Sequence, residues 1–174
     1  MNMITTISAV AAAVAFLLFV FAMLYAAVSD LTTYKIRNNI VLTLLLAYLV
    51  LAPIVGFTSH EIWRSFAVAG IVLICTFGLF TAGLIGGGDA KLAAVTALWL
   101  GADHTLAYLL LVALVGGVFG VFVALWRMWP LPERLARRAW ITRLHARGQR
   151  ARLPYGVAIT LAALCVLPST PWMI

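Results

Sequence analysis

The sequence predicts an all-α polytopic membrane protein of about six transmembrane helices, and three observations carry that reading. Of the 174 residues, 65% are hydrophobic and 10% charged, with a mean hydropathy of +1.10. That is far more apolar surface than a soluble domain of this length could bury. The apolar residues also fall into long runs parted by short polar stretches, and most runs approach the ~20 residues that a helix needs to cross about 30 Å of hydrocarbon. Finally, the basic residues gather between alternate runs, as they do in chains that cross a bilayer repeatedly.

Each element follows from its run. Ile4 to Val28 is apolar apart from small Thr and Ser, and forms the first helix. No basic residue precedes Lys35, which argues for a retained anchor rather than a cleaved signal peptide. A polar stretch over 29–39 follows and holds Asp30. Ile40 to Phe57 is the second helix, interrupted late by Pro53 and Gly56, and Thr58 to Arg64 is a brief turn before a third helix from Ser65 to Ile85. After Gly86-Gly87-Gly88, the run Ala90 to Gly101 is too short to cross unaided, so the fourth helix is short and follows a glycine-rich loop. Thr105 to Trp126 is the fifth, with Gly116 and Gly120 spaced as a small-residue face for close helix contact. Leu153 to Leu167 is the sixth. With neither repeat nor soluble domain in view, residues 1–174 read as a single transmembrane domain with a basic loop at 127–152.

Charge placement sets the topology. The formal net charge is +7, and on six crossings every one of the 12 basic residues except Arg64 falls on one side. By the positive-inside bias that side is cytoplasmic and both termini lie outside. Asp30 and Asp89 then share the cytoplasmic face, while Glu61 and Asp103 fall on the other. The same distribution argues against a nucleic-acid partner. Leu131, Leu135, Trp140, Ile141 and Leu144 recur at roughly helical spacing among the arginines, which suggests a basic amphipathic helix on anionic lipid headgroups, with guidance of a substrate as the alternative. Cys75 and Cys165 lie inside apolar runs without CxxC spacing and read as buried packing thiols.

The chemistry centres on Gly86-Gly87-Gly88-Asp89-Ala90-Lys91-Leu92. Three glycines permit a positive φ or a close backbone approach that side chains would block. Taken singly, each acid has an ordinary explanation: Asp30 as an interfacial carboxylate near Lys35 or Arg37, and Asp89 as a helix cap. Lys91 marks topology, or favours the ionised form of Asp89 if the two are close. Taken together, two carboxylates at one membrane face are expensive to keep and point to function. Adjacent acids hold one proton between them, because like charges at close range cannot both ionise. The ionised member can draw a proton from a water attacking an amide carbonyl while the protonated member polarises that carbonyl. His60 and His104 lie on the outer face and both cysteines lie mid-helix, so no Ser/His/Asp or Cys/His set is in prospect. Two aspartates with His145 fall short of a metal site, and no cofactor is expected.

These residues carry a family resemblance. Gly86 to Leu92 resembles the GxGDxK motif of type IV prepilin peptidases. Asp30-Leu31-Thr32-Thr33-Tyr34-Lys35-Ile36-Arg37-Asn38 is similar to that family's first-aspartate block, with Arg37 where proline is common. Pro154-Tyr155-Gly156 resembles the PYG element opening the last helix. The resemblance implies an aspartic endopeptidase of the bacterial inner membrane that removes short basic leaders from prepilins or pseudopilins on the cytoplasmic side, cutting after a glycine. Asp30 and Asp89 would be the catalytic pair, with Gly86, Gly88, Lys91 and Asn38 shaping the site. The chain has neither the extra cytoplasmic domain nor the paired cysteines of larger members. It resembles the compact class serving Flp-type, tight-adherence pili, for which peptidase activity without N-methyl transfer is expected.

Other classes remain to be weighed. A presenilin-like protease pairs its GxGD with Tyr-Asp inside a helix, whereas Ser29 precedes Asp30 here. A small proton-coupled transporter should place its acids near the midplane with internal repeats. A non-catalytic pilus assembly subunit would not need its aspartates.

Overall fold

The computed structural model describes residues 3–145 and 153–173, and these are helical with no strand among them. The helices are α1 (Met3–Thr33), α2 (Asn38–Val55), α3 (Ser59–Thr81), α4 (Gly87–Leu100), α5 (Ala102–Trp126), the short α6 (Glu133–Ala136) and α7 (Ala139–His145), and α8 (Tyr155–Val166), followed by two 3₁₀ turns. α1, α2, α3 and α5 are long and apolar enough to cross a bilayer. The chain is thus an all-α, multi-pass membrane protein. Arg147, Arg150 and Arg152, part of the basic loop, lie outside the described residues.

The organising element is α4. From Asp89 to Leu100 every residue except Lys91 is buried, and the helix packs against α2, α3, α5 and α8. Being enclosed, it needs no polar face, which is why its sequence shows no stripe. At 1.5 Å per residue α4 is about 21 Å long, short of the ~30 Å hydrocarbon core. A polar helix end at that depth is tolerated only where it meets protein or a water-filled cavity. The far end of α4 meets protein: Trp99 donates its indole N–H to the Leu44 carbonyl at 2.9 Å, and Trp172 donates to the Trp99 carbonyl at 2.6 Å. The Trp99 and Trp172 rings stack at 4.7 Å, with Tyr48 edge-on to both.

Several boundaries differ from the sequence reading, each for a local reason. α1 continues through the polar stretch to Thr33, so Asp30 lies in its last turn instead of a loop. Thr32 and Thr33 satisfy their hydroxyls on the helix itself, donating to the carbonyls of Val28 and Ser29 at 2.7 Å each. α3 starts at Ser59, six residues earlier than expected, because Thr58 and Glu61 form a reciprocal capping box: the Thr58 N–H donates to Glu61 Oε2 at 2.7 Å, and the Glu61 N–H to Thr58 Oγ1 at 3.3 Å. α4 starts at Gly87, which puts Gly87 and Gly88 in its first turn. None of the three consecutive glycines takes a positive φ; that conformation falls instead on Gly83, with φ 74°. The close-approach alternative holds at Gly88, where a Cβ would lie 3.0 Å from Ile36 Cβ.

Cys75 and Cys165 are exposed on the helix surfaces, which corrects the expectation of buried thiols. In lipid a small apolar side chain gains little by turning inward. The glycine face on α5 does pack as its spacing suggests: a Cβ on Gly116 would meet the Tyr155 ring at 3.2 Å, and one on Gly120 would meet Leu153 at 3.4 Å. Among its described residues the basic segment forms two short helices instead of one amphipathic helix. Ile141 and Leu144 are buried, α7 packs on α1 and α5, and Arg127 Nε donates to the Leu144 carbonyl at 2.8 Å. Part of that apolar stripe is therefore covered by the bundle itself.

Candidate active site

Asp30 closes α1 and Asp89 opens α4, and the two line one cavity of about 370 Å³. They are 4% and 8% exposed, and near enough for one charge to act on the other. An even number of crossings between them brings both to the same end of the bundle, as the charge pattern predicts.

Each carboxylate is held by one backbone N–H. Asp89 is the third residue of α4, and its Oδ2 accepts the Gly86 N–H at 3.2 Å. The capping role anticipated for Asp89 is therefore real, but it uses only one oxygen. Oδ1 is buried with no hydrogen-bond partner among the described residues.

Asp30 is anchored from the opposite end of the chain. Its Oδ2 accepts the Gly156 N–H at 2.8 Å, across 126 residues of sequence. Gly156 is the second residue of α8, so the positive end of that helix faces the acid. A Cβ at Gly156 would stand 2.9 Å from both Asp30 Cβ and Oδ2. Glycine is needed there to let the backbone reach the carboxylate. The Pro154-Tyr155-Gly156 element is thus the seat of the first aspartate.

Three rings complete the wall. Phe80 and Tyr155 line the cavity, and a Cβ on Gly87 would press the Phe80 ring at 3.3 Å. Tyr34 lines it too, with φ 56° and a buried hydroxyl that has no hydrogen-bond partner among the described residues. It ends α1 as the left-handed cap, its N–H donating to the Asp30 carbonyl at 2.8 Å. Glycine usually fills that role, since a side chain there costs about 1–2 kcal/mol. The sequence gives no sign of Phe80, and Tyr34, Tyr155 and Gly156 stand out there only as members of the first-aspartate block and of the element opening the last helix, with no role in the site.

The other expected site residues divide. Gly86 lines the cavity and supplies an N–H, and Gly88 packs on Ile36. Lys91 and Asn38 pair with each other, Lys91 Nζ to Asn38 Oδ1 at 3.2 Å, tying α4 to α2. Lys91 faces an apolar groove between α2, α3 and α4 and does not line the acid cavity. Its expected influence on Asp89 gives way to a tie between helices. At the other end of the bundle Arg64 and Asp103 form an ion pair at 2.7 Å, in a separate cleft with Glu61 and His104. Among the described residues, no three His, Cys, Asp or Glu side chains gather as metal ligands would.

No curated protein and no solved structure matches the chain. A family model does, over residues 17–121, a span that takes in both aspartates and the glycine-rich turn. The match covers more than half of the protein, and on that ground the chain belongs to the type IV leader peptidase family.

Proposed function

We propose that this membrane peptidase is an aspartic endopeptidase that uses Asp30 and Asp89 to remove short basic leaders from prepilins or pseudopilins of the Flp-like class. The observation that carries the reading is one cavity faced by two buried carboxylates, each steadied by a single backbone N–H and each retaining an oxygen for chemistry. One proton serves the pair. The ionised acid takes a proton from water as the water oxygen bonds to the scissile carbonyl carbon. The protonated acid hydrogen-bonds the carbonyl oxygen, and the proton it holds passes to the departing amine as the C–N bond breaks. The products are the leader's new carboxylate and the pilin's new amine, and the acids end with one proton between them again.

The excess of basic residues at the Asp30 and Asp89 end supports a cytoplasmic active site in a bacterial inner membrane, with leftover arginines touching anionic headgroups. Gly86 and Gly88 shape the loop, and Lys91 with Asn38 braces it from α2. The proposal involves no cofactor and no methyl transfer, and treats 1–174 as one catalytic domain with 127–152 as its basic loop. A transporter reading gains nothing from acids placed at helix ends beside a cavity lined by residues of one end of the bundle. Incubating the detergent-purified protein with a candidate prepilin and sequencing the product's new N-terminus tests the proposal. A uniform cut after one residue, commonly glycine, supports it, and an intact substrate contradicts it.

A further inference from the structure

We infer that Tyr34 is a catalytic hydrogen-bond donor of this site, its hydroxyl meeting the scissile carbonyl oxygen as negative charge builds there. The inference rests on the peptidase reading above. Three observations of geometry converge on it. Tyr34 lines the same cavity as Asp30 and Asp89, and its hydroxyl is buried beside it without a hydrogen-bond partner among the described residues. Asp89, which lines the same cavity, likewise has a buried oxygen, Oδ1, with no hydrogen-bond partner among the described residues, so a donor and an acceptor flank one cavity. The tyrosine is also held with φ 56°, in a cap position where glycine would fit without strain. Strain of this kind persists where the surroundings fix it, and it gathers at functional sites.

The frame around Tyr34 is built to keep that backbone. Its N–H donates to the Asp30 carbonyl at 2.8 Å, and Ser29 Oγ donates to the Lys35 carbonyl at 2.9 Å, closing the chain over the helix end. Burial lifts the phenol above its usual range, with Asp30 adding to this and Arg127 and Arg143 opposing it. The hydroxyl is accordingly protonated at neutral pH and able to donate. It keeps its proton throughout the reaction, while the pair of acids carries the proton transfer. A preorganised donor of this type is commonly worth 10²–10³-fold in kcat.

The test uses the purified full chain in detergent with a synthetic peptide that carries a short basic leader, a glycine and an apolar segment. Tyr34→Phe should lower kcat by about 10²-fold with KM within a few-fold of the parent. Tyr34→Gly should lose the same activity while melting no earlier than the parent, since glycine relaxes the cap. A Tyr34→Phe enzyme with parental kcat, a loss confined to KM, or a loss matched by earlier melting would overturn the assignment of Tyr34 and leave the two aspartates standing. A parent chain that leaves the peptide whole would overturn both readings.

Discussion

The two ends of α4 are built on opposite principles. At its C-terminal end, Trp99, Trp172, Tyr48, Phe57 and Phe19 pack ring against ring, and both indole N–H groups reach carbonyls. At its N-terminal end a cavity opens beside two carboxylates, and glycines replace side chains. One end gains stability by excluding water and filling space, and the other gives up some of that gain to leave a cavity beside two buried carboxyl groups. In a chain that is apolar nearly throughout, the difference teaches where to look for function, and the proposed active site falls in the place where close packing stops.

Substitutions at the two ends should therefore separate activity from stability, and the largest effect belongs to the acids. Asp30→Asn or Asp89→Asn should leave the protein inserted and abundant yet lower leader removal about 10³-fold or more, as loss of a general acid or base does. Product assay on equal amounts of membrane protein checks this, and substantial cleavage by either variant breaks the contrast. Next comes Gly156→Ala, which forces a methyl into the space 2.9 Å from Asp30 and should displace that carboxylate. A shift near 1 Å is commonly worth about 10²-fold in turnover, so kcat should fall while the melting midpoint changes little.

Gly88 offers a milder version. Gly88→Val would crowd Ile36, whose Cβ already lies 3.0 Å from the position of an added Cβ, and turnover should drop roughly 10-fold. Unchanged kinetics would show that the turn tolerates bulk. At the aromatic end, Trp99→Phe removes the hydrogen bond to the Leu44 carbonyl and should cost about 1–2 kcal/mol in a detergent melt, with kcat per folded molecule intact. A loss of kcat there without a loss of stability would erase the division between the two ends. The smallest effect should come from Lys91→Ala, which unties an exposed pair with Asn38 and should alter turnover by no more than a few-fold.

Much of this was legible in the sequence, for identifiable reasons. Hydropathy and run length gave the all-α membrane class, since lipid imposes that pattern on every crossing helix. The short run after Gly88 gave the short α4. The alternation of basic loops placed Asp30 and Asp89 at one end. What stayed hidden depends on contacts distant in sequence or on backbone that overrides propensity. The seat of Asp30 comes from a glycine 126 positions away, and no local pattern reports such an encounter. Tyr34 adopts a conformation that its type disfavours, so propensity pointed elsewhere. The outward cysteines at 75 and 165 reflect a rule of soluble cores applied where lipid is the solvent.

The central claim is that Asp30 and Asp89 act as one catalytic unit, and a double-mutant comparison meets it most directly. Leader-release rates should be measured for the parent, Asp30→Asn, Asp89→Asn and the combined variant, on one prepilin-type peptide. Residues that work as a unit are grossly non-additive, so the combined variant should be no slower than the worse single one. Losses that multiply in the combined variant would show two acids acting independently and would contradict the account.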